Sequence, residues 1–237
     1  MLNRKNSAAP AAFDARRAIA LELRERLKEL PPTPFDWASF DPESALFAPG
    51  AASDLRLGTL ARTLCVAPAR TAELRALWKE CMVTAAFALR LAPLLGADAR
   101  ASAIAGLLHR LGDMLTIHAI GAFEHAEHQR LDGPGKADLC AVYGGELLER
   151  VVRAWAVPPL AAATAAEWRR LREFPGAAAE ATAVYLARLL AIEAISPDFC
   201  APGLIERAAE EVGLQPGSLD GIREDADIKY LQELCSI

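Results

Sequence analysis

Ala105-Gly106-Leu107-Leu108-His109-Arg110-Leu111-Gly112 places a histidine and an arginine side by side within an apolar run from Ala101 to Phe123. His109, Arg110, Asp113 and His118 interrupt that run. Polar groups at mid-span argue for a buried helix of a soluble protein rather than a membrane span. Gly96 predicts the end of the preceding helix, and Asp98 predicts the N-cap of the next, over roughly 98–120. A helix apolar on most sides reads as the central one of its fold. Arg110 brings a fixed positive charge and no acceptor lone pair, so it cannot ligate a divalent cation.

Helical signals continue on both sides. Asp14 predicts a cap for a helix to about Leu30, with Ile19, Leu21, Leu23 and Leu27 available for one face. Leu30-Pro31-Pro32-Thr33-Pro34 predicts an extended elbow. Asp41-Pro42 reads as N-cap and N1 of a short helix that Pro49-Gly50 ends. Further helices are predicted near 53–65, 71–95, 137–156, 159–172, 177–195, 203–212 and 218–235. Glu124 to Lys136 reads as a turn or exposed loop around Asp132-Gly133-Pro134-Gly135. No β-hairpin signal or fixed-period repeat is present, so the fold class is all-α with short connections.

Composition supports this. Alanine and leucine dominate the apolar residues, while aromatic and β-branched residues are sparse. A net charge of −5 offers no general attraction to nucleic acid or anionic lipid. The N-terminus lacks a continuous apolar stretch, so no signal peptide is read. Cys65, Cys81, Cys140, Cys200 and Cys235 form no C-x-x-C motif and read as buried free thiols of a reducing cytoplasm.

From Leu77 onward the order of motifs resembles the HDOD family, the HD-related output domains of bacterial signalling proteins. Leu77-Trp78-Lys79-Glu80-Cys81 resembles its Leu-Trp-x-x-Ser helix start. Ala105 to Gly112 resembles its Ala-Gly-Leu-Leu-His-Asp-Ile-Gly centre, with Arg110 where the aspartate would stand. Gly144-Gly145-Glu146-Leu147-Leu148 and Trp155-Ala156-Val157-Pro158 resemble its later elements, and Leu30 to Pro34 its Leu-Pro-x-Leu-Pro start. The resemblance implies an HD-like multi-helix bundle. It divides the chain into an N-terminal tail and helix (1–29), an HDOD-like domain (30–195, with 35–75 divergent and shortened) and C-terminal helices packing on that domain (196–237).

A working HD site would need several histidines and aspartates converging on a metal that polarises phosphate and activates water. Here the upstream histidine position, near Glu80, holds none, and the region around Asp138, Leu139, Cys140 and Glu167-Trp168 lacks the later ones. His109, Arg110 and Asp113 therefore read as a vestigial HD position, with no catalytic residue, metal or cofactor assigned. His109 reads as a core residue hydrogen-bonded through one ring nitrogen. Arg110 and Asp113, at i and i+3, fit a helical ion pair. Alternatively Arg110 points into the cleft and its planar fork holds a phosphate or carboxylate, with Arg110, Glu80 and Glu167 as the candidate ligand-binding residues. Glu80, Glu167 and Asp113 also have the chemistry to ligate a hard cation, though nothing in their spacing requires it. His125 and His128 have the spacing of two helical metal ligands, but read as a solvated face. Trp78 and Trp155 read as core anchors; Trp37 and Trp168 are better placed for partial exposure. Gly106 and Gly112 read as packing glycines.

The function expected is a non-catalytic, cytoplasmic signalling module acting through contact with another signalling protein, with no nucleic-acid or membrane partner. The alternatives are a nucleotide or cyclic-dinucleotide sensor using the vestigial cleft, and a divergent metal-dependent HD phosphohydrolase.

Overall fold

The computed structural model describes residues 17–21, 23, 33, 35–47, 55–65, 69–168, 178–215 and 217–234. Eleven α-helices and no strand occur among them. They are α1 (Pro42–Phe47), α2 (Leu55–Leu64), α3 (Thr71–Leu91), α4 (Ala99–Leu108), α5 (Leu111–Glu127), α6 (Gly133–Ala154), α7 (Pro159–Glu167), α8 (Ala179–Ile195), α9 (Leu204–Glu211), α10 (Asp220–Arg223) and α11 (Ala226–Leu234). Most of the Leu30–Pro34 elbow, the Pro49-Gly50 stop, Leu27, the chain just beyond Trp168 and Cys235 lie outside the described residues.

The long helix α3 is the hub. Cys81 to Ala88 are buried without interruption, because α4 and α8 flank the helix and α5 crosses it. Alanines at 85, 86 and 88 permit the close approach. Centrality is thus shared by α3 and the His109 segment, whereas sequence periodicity assigned it to that segment alone. Helix α7 packs on α4 and α8, and the C-terminal helices cover α3 and α8. Ile205, Leu219, Ile222, Ile228 and Leu231 belong to the same apolar core as Leu74, Phe87 and Leu108. A second cluster joins Ile19 and Leu23 to Ile120, Leu139 and Leu147 of α5 and α6. Leu21 faces solvent instead of joining them.

Turn chemistry sets several helix limits. Asp98 accepts from the Ala101 amide at 2.7 Å and caps α4. Gly96, at φ 67°, closes the 3-10 turn Ala92–Leu95 that continues α3. Ala97 N–H bonds Ala92 O and Gly96 N–H bonds Pro93 O, the paired bonds of a Schellman cap. The same cap ends α6 at Trp155-Ala156-Val157-Pro158. Val157 N–H bonds Val152 O, Ala156 N–H bonds Arg153 O, and Ala156 takes φ 52°. Pro158 then leads into α7. Asp132-Gly133-Pro134-Gly135 is not a loop: Asp132 accepts from Gly135 N–H at 2.8 Å and caps α6, with Pro134 in its first turn. Helix α5 likewise runs on to Glu127, beyond the end expected near 120. The expected helix over 218–235 is broken at Glu224-Asp225, where the Asp225 carboxylate accepts from Asp227 and Ile228 amides.

Residues 35–40 form an aromatic knot. Phe35, Trp37 and Phe40 lie with ring centroids 4.8–5.3 Å apart, and Trp37 stacks on Trp155 at 6.4 Å. Arg100 of α4 clamps this loop by donating to the carbonyls of Trp37, Ala38 and Phe40 at 2.6–2.9 Å. Trp37 is accordingly buried, contrary to the exposure its proline-rich setting suggested. Trp155 is buried and Trp78 half-buried against the core. Cys65, Cys81, Cys140 and Cys200 are free thiols, but only Cys81 is fully buried.

Candidate functional site

The helix expected over 98–120 is two helices. His109 and Arg110 form the turn between α4 and α5. Carbonyls that a continuous helix would use are taken by side chains: His109 Nδ1 lies 2.6 Å from Gly106 O, and Trp168 Nε1 donates to His109 O at 3.0 Å. Two glycines place the turn. A Cβ on Gly106 would sit 2.9 Å from Ala85 Cα, so α4 lies directly on α3 there. A Cβ on Gly112 would sit 1.7 Å from Gly144 O, so α5 lies directly on α6. The packing role read for both glycines holds, although they belong to different helices.

The turn aims Arg110 at two carboxylates from different helices. Its Nε donates to Asp113 Oδ2 at 2.6 Å and its Nη1 to Glu80 Oε1 at 3.2 Å. Arg188 of α8 donates to the same Glu80 oxygen at 2.9 Å. His109 is completely buried, and its Nε2 faces Glu80 Oε1 at 3.7 Å without forming a hydrogen bond. Trp168 closes the far side: its ring meets His109 edge-on at 4.9 Å, and the Arg188 guanidinium lies 5.1 Å over it. Two cations and two anions thus neutralise each other, with the buried ring beside them.

Protonation follows from this arrangement. Burial opposes ionisation of Glu80, but His109, Arg110 and Arg188 outweigh it and hold the carboxyl down at about 2. Burial is also the largest influence on His109 and lowers its pKa, with Glu80 partly offsetting it. Gly106 O can only accept, so His109 Nδ1 carries a proton whether the ring is neutral or charged.

A divalent cation does not fit here. Both carboxylates already accept from guanidinium groups, and one His109 nitrogen is committed to a carbonyl. A metal near Glu80 would also meet the positive charge of Arg110 and Arg188. Among the described residues no three His, Cys, Asp or Glu side chains gather as a metal-binding group.

The structure therefore brings Glu80, His109, Arg110 and Asp113 together. Glu167, at the end of α7, makes no hydrogen bond or ion pair with them. Arg188 and Trp168 complete the site and were not assigned to it from sequence. Arg188 had a signal, as the one charged residue between Ala181 and Ile192. Trp168 is half-buried and used for packing on His109.

The remaining histidines stand apart. His118 is half-buried, while His125 and His128 are exposed at the end of α5. Glu124 beside them is buried, contrary to its placement in an exposed stretch. It accepts from Arg70 Nε at 2.7 Å, from Arg70 Nη2 and from Leu131 N–H at 2.8 Å.

An open cleft of about 270 Å3 adjoins the network between α3, α5 and α8. Leu77, Ile117, Ile192 and Ile195 line it together with Glu73, Glu80 and Arg110. Its size is below the range of about 300–1,000 Å3 typical of drug-sized ligands. Its two carboxylates also oppose a polyphosphate.

No helix among the described residues is long and apolar enough to cross a membrane. Comparison with curated proteins and with solved structures gives no match. The family model described as HDOD domain matches residues 51–168. That span contains the Leu77–Cys81, Ala105–Gly112, Gly144–Leu148 and Trp155–Pro158 elements, and with them Glu80, His109, Arg110, Asp113 and Trp168. The chain belongs to the HDOD family.

Proposed function

We propose that this chain is a non-catalytic HDOD module that acts through protein–protein contact in bacterial signal transduction, within the cytoplasm. The observation that carries the reading is the Arg110 guanidinium between Glu80 and Asp113. The two carboxylates beside the vestigial HD position serve as acceptors for arginine and not as metal ligands. The Arg188 bond to Glu80 ties α8 into the same network, so the site works as a joint between helices. A module of this kind transmits through its surface and the relative placement of its helices.

Two measurements test the proposal. Protein supplied with Mn2+ or Fe2+ is expected to turn over neither phosphomonoesters nor phosphodiesters above a buffer blank. Immobilised protein is expected to retain a signalling protein from lysate of its source organism. Reproducible turnover lost in Arg110→Ala would overturn the non-catalytic half. A lysate that yields no retained signalling protein would overturn the other.

A further inference from the structure

The cleft between α3, α5 and α8 pairs an aliphatic wall with two opposite charges. Leu77, Ile117, Ile192 and Ile195 supply four branched apolar side chains. Glu80 and Arg110, joined at 3.2 Å, also line it. Neither residue is fully used. Arg110 donates through Nε and Nη1, leaving Nη2 without a hydrogen bond among the described residues. Among the described residues Glu80 accepts through Oε1 alone, leaving Oε2 without a hydrogen bond.

A donor and an acceptor left over on two adjoining residues of one cleft suit a ligand that carries both charges close together. A lone anion would face Glu80 and Glu73, and a lone cation would face Arg110. An α-amino acid carries its carboxylate and ammonium one carbon apart, so one small molecule presents both charges to residues that adjoin as Glu80 and Arg110 do. The branched walls suit an aliphatic side chain of matching size. A volume of about 270 Å3 admits such a molecule and is small for a nucleotide. We propose that this cleft binds a small aliphatic α-amino acid, its carboxylate on Arg110, its ammonium on Glu80 and its side chain against Leu77, Ile117, Ile192 and Ile195. Such binding requires neither a catalytic site nor a particular protein partner.

Calorimetry and heteronuclear NMR titration of the full chain test it, with L-leucine and L-isoleucine as probes. 3-Methylbutanoate and 3-methylbutylamine each keep the branched body but carry only one charge. Saturable binding of at least one amino acid is expected, with each single-charge analogue at least about tenfold weaker. Ala76 is exposed and lines the cleft, so Ala76→Trp is expected to fill it and abolish binding with an unchanged melting temperature. Failure of both amino acids to saturate any signal up to about 10 mM would overturn the proposal. Equal binding by the analogues, or undiminished binding by folded Ala76→Trp, would overturn it as well.

Discussion

Gly112 lies against Gly144 so closely that a Cβ on Gly112 would fall 1.7 Å from the Gly144 carbonyl oxygen. This contact fixes α5 on α6 and thereby the direction in which the preceding Arg110 leaves the turn. Gly112→Ala cannot be accommodated by a rotamer change, because the obstacle is backbone. We expect a loss of about 3 kcal/mol or more in urea unfolding. Gly145, one residue beyond the contact, meets nothing within 4 Å in place of a Cβ. Gly145→Ala should stabilise by roughly 0.5–1 kcal/mol through helix propensity. Equal effects from the two substitutions would contradict the packing.

Ala156 holds a left-handed conformation at φ 52° in the Schellman cap of α6, and its side chain is exposed. Glycine adopts that conformation without a Cβ penalty. Ala156→Gly should therefore raise stability by roughly 0.5–1 kcal/mol, whereas glycine in the middle of a helix ordinarily lowers it. Thermal unfolding of this single variant supplies the check.

Arg70 and Glu124 join the start of α3 to the last turn of α5, with the Glu124 side chain 2% exposed. Removing one partner leaves a buried charge unmatched. Arg70→Ala should cost about 3 kcal/mol. Arg70→Ala combined with Glu124→Gln should recover part of that loss, since the stranded charge is gone. A double variant as unstable as the sum of its singles would argue against a direct pair.

Acid should destabilise the protein in two stages. His109 has a folded pKa below its ordinary 6.5, so as pH falls through 6.5 the unfolded chain takes up a proton that the folded chain resists. Stability declines from there towards the folded pKa. Glu80 is lowered from 4.5 to about 2, so its contribution is present above 4.5 and disappears as pH falls towards 2. That displacement corresponds to roughly 3 kcal/mol. Urea midpoints from pH 7.5 to pH 3 should show both limbs, and Glu80→Gln should make the lower one shallower, leaving the part that Glu124 contributes. A flat profile below pH 4.5 would contradict the Glu80 assignment.

Local signals made much of the fold readable. Gly96, Asp98 and the Pro158-Pro159 pair act within a turn or two of themselves, and the structure uses each accordingly. The Arg110–Asp113 pair was likewise visible in its i, i+3 spacing. The break at His109-Arg110 was not, because no glycine or proline stands at the turn itself. Side-chain donors produce it, one of them Trp168, distant in sequence. Arg188 entered the site for a similar reason: only the packing of α8 on α3 brings it to Glu80. Glu124 was misplaced because a charged stretch resembles a loop until a distant partner such as Arg70 buries it.

Arg110 and Arg188 supply the positive charge that Glu80 and Asp113 require, which leaves no place for a metal ion beside them. Metal content of the chain purified after growth in medium supplemented with manganese, iron and zinc tests it most directly. The expected content is well below about 0.1 metal ion per chain. Roughly one tightly held ion per chain, released when Glu80 or Asp113 is replaced by alanine, would contradict it.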